Sequence, residues 1–375
     1  MIPGGHLTPA LGLIDWIKQH HPETQIVFVG RKYSQPKLKQ LAFEYQEISQ
    51  RQVEFVSFQG VKSTASLLAM PLRLIQLIIS IVKALRIMNS YQPDVLMSFG
   101  GYMAVPLVLA AKIKGVPVLT HEGTSVVGRA NKILFKLANR VVYSYPQFNN
   151  FDISKLNKPC FRTGTPLRQR ILSRSISEPP SWLKKDISKD QPVLLILGGS
   201  QGSQAINQLV SDSLVELTKR WTVIHQCGRA NITYQYHDDL VAQATNLNIA
   251  ADRYYVREWI PEDELAWLYQ VTSIALSRAG ANTIEELRYY QVPTLYIPLP
   301  HSYFQEQEMN ARFMVQHQAA KILLQEEASP KQLVYHLEAL MAQRKQFQTK
   351  LASVPLLDPK PASELIFQQL VEITS

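Results

Sequence analysis

Short apolar runs alternate with longer stretches in which apolar residues recur every three to four positions. The runs at 25–29, 95–99, 116–120, 141–145, 193–197, 223–225, 274–277 and 294–297 read as strands. They are nearly continuous in apolar residues, as expected when helices cover both faces of a sheet. Helical periodicity fills 9–19, 104–113, 204–219, 262–269 and 281–290. Strands alternating with helices at this spacing predict parallel α/β sheets. The alternation runs twice. A first series ends near 162–166, a polar stretch follows from 168 to 191, and a second series begins at Val193. Two doubly wound domains are therefore expected, 1–164 and 165–345, followed by a helical segment, 346–375. Its last helix, about 362–373, follows a Pro-rich stretch, and the amino-terminal domain is one candidate for its packing partner.

One segment departs from this rhythm. Residues 67–88 are long and apolar enough to suggest a bilayer span, but they contain Arg73, Gln76, Lys83 and Arg86, with Pro71 near the start. Charges at the centre of a spanning helix cost ~2.5–3.5 kcal/mol each, which argues against a span. The four polar residues are spaced to form a stripe along one helical face. A core helix with one wet face fits this pattern, as does a helix that lays its apolar flank and cations on an anionic membrane.

Composition narrows the function classes. Of 375 residues, 46% are hydrophobic and 18% charged, which excludes a disordered or coiled-coil chain. Two cysteines, Cys160 and Cys227, exclude a disulfide scaffold and a Cys-rich zinc module and fit a reducing compartment. The net charge of +9 suits an anionic partner, yet no tract of five Lys/Arg occurs, which speaks against nucleic acid. The chain opens on a glycine turn where a secretory signal would show a basic and then an apolar segment, so the cytoplasm is the expected compartment.

Open parallel sheets bind ligands at the carboxyl ends of their strands. Gly4, Gly5 and His6 stand at the start, with Thr8 a plausible helix cap and Pro9 a plausible first helical residue. Gly100, Gly101 and Tyr102 follow the run at 95–99, and His121 and Glu122 the run at 116–120. In the second half, Gly198-Gly199-Ser200-Gln201-Gly202 follows 193–197, and Arg278 to Thr283 follow 274–277. Glycines allow close backbone approach, and amides opening the next helix favour a phosphate. No Walker lysine follows, and no G-x-G-x-x-G fingerprint is formed, so hydride chemistry with a dinucleotide is disfavoured. Glu285 and Glu286 either complement a helix dipole or accept from ribose hydroxyls. There is no Asp-x-Asp pair, so no metal site and no cofactor are expected, and a leaving diphosphate would be neutralised by helix amides and arginine.

Six motifs appear in the order and approximate spacing of one family. They are Gly4 to Ala10, Gly100-Gly101-Tyr102, His121-Glu122, Gly164 to Arg168, Gly198 to Gly202, and Gln307 to Ala311. Together they resemble the MurG family, the UDP-N-acetylglucosamine:undecaprenyl-pyrophosphoryl-muramoyl-pentapeptide N-acetylglucosaminyltransferases of glycosyltransferase family 28. The resemblance covers essentially the whole chain. It implies a GT-B fold, with two Rossmann-like domains facing a cleft, and an inverting, metal-independent hexosyltransferase that makes lipid II for peptidoglycan. UDP-N-acetylglucosamine and lipid I would be the substrates, at the cytoplasmic face of an anionic membrane as a peripheral protein.

The family's contacts carry over residue by residue. Gly4 and Gly5 would lie over the diphosphate, and Arg168, Ser200 and Gln201 would approach the donor. Ile260 would offer backbone contacts to uracil. Ala281, Asn282, Thr283 and Glu286 would wrap the nucleotide, with Glu286 on the ribose, and Gln307 would contact the sugar. Thr124 stands where the family usually has asparagine, a weakened donor contact. Tyr102 and His121 would line the acceptor side. His6 is the first choice of general base and Glu122 the second, because imidazole titrates near working pH. Only Met1-Ile2-Pro3 precede Gly4, where the resemblance implies a full strand; loss of that strand would expose sheet edges on both neighbours. A UDP-N-acetylglucosamine 2-epimerase-like isomerase and a non-catalytic nucleotide-sugar binding protein are the alternatives.

Overall fold

The computed structural model describes residues 1–4, 6–35, 40–59, 70–173, 178–183, 187, 192–199, 202–229 and 235–375, with the backbone alone at 35, 40 and 70–74. Contacts divide the chain into two units: Met1–Gln169 with Leu356–Ser375, and Arg170–Pro355.

In the first unit, β1 (Ile2–Pro3), α1 (Leu7–His20) and β2 (Val27–Gly30) lead to a small antiparallel hairpin, β3 (Tyr33–Gln35) with β4 (Gln40–Leu41). Then come α2 (Phe43–Gln50), β5 (Glu54–Ser57), α3 (Met70–Tyr91), β6 (Leu96–Ser98) and α4 (Ala104–Ile113). β7 (Val118–Glu122), α5 (Arg129–Leu137), β8 (Arg140–Tyr143) and β9 (Cys160–Arg162) complete the sheet. Strands β1, β2 and β5 pair in parallel, as do β6 to β9. β1 joins the two groups, because the Met97 amide donates to the Met1 carbonyl and the Met1 amino group to the Val95 carbonyl, both at 2.9 Å. The order is thus β5-β2-β1-β6-β7-β8-β9.

The expectation of exposed edges at the short start is met in part, since residues 1–3 pair with both neighbours only at their carboxyl ends. Ile2 and Pro3 pair with Phe28 and Val29, and Ile2 is buried. Three residues carry enough backbone groups to bridge both neighbours at the carboxyl end. Beneath them, where the neighbours run on, a cavity of about 550 Å³ is lined by Ile26, Val95, Phe367 and Leu370 among others.

The pleat sends alternate residues to opposite faces. Phe28, Met97 and Leu119 pack with α1 on one side, while Val29, Leu96 and Val118 pack with α3 and α4 on the other. The final helix of the chain (Ala362–Thr374) lies on the α1 side of this unit. Ile366 and Leu370 enter the core there, Phe367 stacks on His21 at 4.3 Å, and Arg140 pairs with Glu372 at 2.5 Å.

In the second unit, after a short helix α6 (Gln169–Leu172), the elements are β10 (Val193–Leu197), α7 (Gln204–Arg220), β11 (Thr222–Gln226), α8 (Tyr236–Asn246) and β12 (Tyr254–Arg257). They continue with α9 (Glu262–Val271), β13 (Thr272–Ser277), α10 (Ala281–Tyr289), β14 (Thr294–Tyr296), α11 (Glu306–Gln316) and β15 (Ala320–Ile322). The sheet is wholly parallel, in the order β12-β11-β10-β13-β14-β15. That is the doubly wound 3-2-1-4-5-6 pattern, and its strand order reverses between β10 and β13. In the first unit the reversal falls between β1 and β6.

α3 answers the question left by residues 67–88. No helix among the described residues is long and apolar enough to cross a membrane. Its exposed side is not simply polar: Ile75, Ile78, Ile79 and Val82 are 44–55% exposed, beside exposed Gln76, Lys83 and Arg86.

Candidate functional site

The two strand reversals place the glycine corners. In the first unit, Gly4 leaves β1 with its amide donating to Val29 O at 2.6 Å. A Cβ on Gly4 would come within 2.8 Å of the Met103 side chain and 3.2 Å of that carbonyl, so a side chain there would crowd both. Gly5 lies outside the described residues. His6 is exposed and is the residue from which α1 starts, without a side-chain cap. This shifts the expected cap from Thr8 to His6 and puts Pro9 third in the helix. Proline is tolerated there because a first-turn N–H has no intrahelical acceptor to lose. Gly100 and Gly101 follow β6 with φ of +84° and +86°, and Tyr102 is half-buried beside them.

His121 and Glu122 are not loop residues, as their motif suggested, but the last two positions of β7, each 2% exposed. The His121 Nε2–H donates to Gly164 O at 2.9 Å, with Ser144 Oγ at 3.2 Å. A carbonyl can only accept, so this bond fixes the tautomer. Burial pushes the imidazole down to about 4, with the nearby His6 acting in the same direction. His121 thus ties β7 to the turn after β9.

Both oxygens of Glu122 are engaged by its own turn. Its Oε1 accepts from the Thr124 amide at 3.2 Å and lies 2.9 Å from Thr124 Oγ1. Its Oε2 accepts from the Gly128 amide at 3.1 Å and from Asn131 Nδ2 at 2.9 Å. A carboxylate bonded this fully organises the 123–128 turn. Thr124 is 5% exposed, and its hydroxyl also meets Val126 O at 2.6 Å, so it serves the same turn. Arg168 is buried at the end of this unit, just past the segment whose Leu167 carbonyl would lie 2.7 Å from a Cβ on Gly12.

The His121 imidazole has a measurable consequence. An unfolded imidazole titrates near 6.5, whereas the folded one titrates near 4. Between those values the unfolded chain binds a proton that the folded chain does not. The stability is present above pH 6.5 and is lost as pH falls through 4, at about 3 kcal/mol for this shift. Buried His225 acts in the same direction in the second unit, being held at about 3 by desolvation. Urea unfolding from pH 7 to 4 should show this acid slope, and His121→Gln should remove the share belonging to the first unit. An unchanged profile in that variant would count against the assignment.

In the second unit, Gly198 follows the end of β10 at Leu197. Gly199 and Gly202 adopt φ of +87° and +72°, and α7 opens with Ser203 as its cap. Ser200 and Gln201 lie outside the described residues. The Ile260 amide, expected at uracil, already donates to Gln226 Oε1 at 3.1 Å, which leaves only its carbonyl for a base edge. Ala281, Asn282 and Thr283 form the first turn of α10 and are half-buried. Glu286 is 3% exposed, and its Oε2 accepts from Tyr269 OH at 2.9 Å. Glu285 pairs with Arg288 at 2.7 Å within the same helix, a structural role. Gln307 is half-buried and accepts from the Leu299 amide at 3.0 Å, shaping the loop after β14.

Three further residues shape the site: Asn131, which closes the Glu122 turn; Gln226, which occupies Ile260; and Arg278, which follows β13 and is 8% exposed. Gln226 and Arg278 carry a signal in the sequence, their position at the end of an apolar run, and Asn131 carries none. Among the described residues, no group of three or more His, Cys, Asp or Glu could hold a metal ion.

Comparison with known proteins adds to this geometry. Residues 3–143 match the glycosyltransferase family 28 N-terminal domain, and residues 193–363 match the family 28 C-terminal domain. A UDP-N-acetylglucosamine--N-acetylmuramyl-(pentapeptide) pyrophosphoryl-undecaprenol N-acetylglucosamine transferase from Thermodesulfovibrio yellowstonii is 32% identical over 345 residues, covering 90% of this chain and 87% of that protein. The same-named protein of Limosilactobacillus reuteri subsp. reuteri is 31% identical over 342 residues, again covering 90% and 87%. Among solved structures, Acinetobacter baumannii MurG superposes with a TM-score of 0.70 at 23% identity, covering 99% of this chain and 98% of that one, a likeness of fold.

Proposed function

The chain belongs to glycosyltransferase family 28, and from that membership we propose that it transfers N-acetylglucosamine from UDP-N-acetylglucosamine to the 4-hydroxyl of the muramoyl sugar of lipid I. The product is lipid II, a peptidoglycan precursor. The observation that carries this reading is the 32% identity, across most of both chains, to a protein named for that transfer. The glycine corners at both strand reversals suit it, since each combines close backbone approach with helix amides facing an anion.

The chemistry follows from inversion. The acceptor hydroxyl oxygen attacks the anomeric carbon from the face opposite UDP as the bond to the diphosphate breaks. An α-linked donor becomes a β-1,4 product, and UDP leaves with the bonding electron pair. The hydroxyl proton passes to a base. His6 is that base, because it is exposed at the head of α1 while Glu122 is consumed by its own turn. Amides opening α7 and α10, together with Arg168, neutralise the leaving diphosphate. Glu286 and the first turn of α10 hold the nucleoside. The test is release of UDP that depends on lipid I. Consumption of the donor without acceptor would favour the isomerase, and binding without turnover would favour the non-catalytic reading.

The α3 surface supports a peripheral seat at the cytoplasmic face of the membrane. Exposed Ile75, Ile78, Ile79 and Val82 follow helical spacing, and Lys83 and Arg86 flank them. Such a face buries apolar area at the headgroup boundary while its cations meet anionic lipid. Ile78→Glu with Lys83→Glu should weaken sedimentation with anionic vesicles about tenfold or more, given a transfer term and about 1 kcal/mol per lost cation. Undiminished vesicle binding would remove α3 from this role.

A further inference from the structure

Ser203 and Arg278 form a buried polar pair for which the reaction as derived has no use. Ser203 caps α7: its Oγ accepts from the Ile206 amide at 3.3 Å and from Arg278 Nη2 at 2.6 Å. Arginine and a backbone amide can only donate, so both lone pairs of the hydroxyl are engaged and its own proton must be given elsewhere. Ser203 is 7% exposed, and its O–H has no acceptor among the described residues. The two incoming donors occupy the helix side and the β13 side of the oxygen. The hydroxyl stands at the amino end of α7 beside the end of β10, where a Cβ on Gly198 would lie 3.1 Å from the Ser203 backbone nitrogen.

Arg278 makes this placement rigid. Its Nη1 donates to Ile297 O at 3.0 Å and Pro298 O at 2.9 Å, and its Nη2 also reaches Gln325 Oε1 at 2.7 Å. Every acceptor is a neutral oxygen. Burial lowers the guanidinium to about 10, so it is still a cation at neutral pH. A buried cation with no carboxylate partner is costly on its own and becomes compensated when an anion arrives. The same guanidinium also links the cap of α7 to the start of the loop that carries Gln307.

We propose that the Ser203 hydroxyl donates a hydrogen bond to a phosphate oxygen of the nucleoside diphosphate, and that Arg278 is the positioning residue that aims it. This rests on the donor-binding reading above and adds a contact beyond the glycine corner.

The test compares UDP with uridine, which lacks the phosphates, by calorimetry on the full chain. Ser203→Ala should weaken UDP about tenfold, the loss of one charge-assisted hydrogen bond, and leave uridine within about twofold. Ser203→Asp keeps an oxygen to cap α7 and meet Arg278 but cannot donate, so it should bind UDP more weakly than Ser203→Ala while melting no lower. Arg278→Lys should weaken UDP in the wild-type background and add less than about twofold to Ser203→Ala, the non-additivity expected of coupled residues. Unchanged UDP affinity in Ser203→Ala, uridine falling in step with UDP, or full additivity of the two changes would overturn the proposal. A wild-type chain that retains no UDP would instead bring down the donor-binding reading, and this contact with it.

Discussion

Replacing His6 with alanine should lower turnover by two to four orders of magnitude, the usual contribution of a positioned general base, while UDP affinity stays within about twofold. The expectation rests on what the imidazole does not do. His6 is exposed, stands at the head of α1 and provides no side-chain cap. Its removal therefore takes away no hydrogen bond that holds the fold among the described residues, and the melting temperature should not move. His121 is the instructive contrast. It lies at the end of β7, two strands from β1, but it is buried, neutral and bonded to Gly164 O. His121→Ala should cost stability first and activity only as a consequence. Steady-state turnover, UDP titration and thermal melts on both variants separate the roles. Equal losses of turnover and UDP affinity in His6→Ala would assign His6 to the phosphates and leave the base unassigned.

That contrast also marks what the amino-acid sequence reveals about a site of this kind. His6 and His121 each stand beside glycine at an apolar run's end, and composition cannot tell them apart. Register can: β7 runs through Glu122, so its last two side chains belong to the sheet and not to the loop. The central strands were legible because burial on both faces leaves unbroken apolar runs, and 193–197 coincides with β10. The strands that went unread are short: the hairpin Tyr33–Gln35 with Gln40–Leu41, and four at sheet edges, Glu54–Ser57, Cys160–Arg162, Tyr254–Arg257 and Ala320–Ile322. Edge strands are half-wetted, so their pattern dissolves into polar residues. The final helix was visible as an element, with the amino-terminal domain only one candidate for its partner. An apolar stripe states that a face must be buried without stating against what, and the Ser363 contact to Gly12 O spans 351 residues. Arg278 shows the same limit, because its four acceptors come from three distant parts of the chain.

Gly202→Ala should abolish measurable UDP binding, a loss of at least about a hundredfold, and should lower the melting temperature of the second unit. Two independent effects act at this position. The residue sits at φ +72°, in the left-handed region where a side chain costs roughly 1–2 kcal/mol. The added Cβ would also lie 2.2 Å from Cys227 O and 2.9 Å from Gly228 Cα. Both are backbone atoms at the end of β11, so no rotamer change relieves the overlap, and the corner or the strand end must shift. Either movement displaces the amides that open α7, including the one Ser203 caps at 3.3 Å. Gly199 separates the two effects. It has φ +87° but meets nothing within 4 Å, so Gly199→Ala carries the strain without the collision. It should lose stability by roughly 1–2 kcal/mol and UDP affinity by tenfold or less. UDP titrations and melts of the two variants check the ordering. If Gly202→Ala binds UDP as well as Gly199→Ala does, the amide corner after β10 is not where the diphosphate rests.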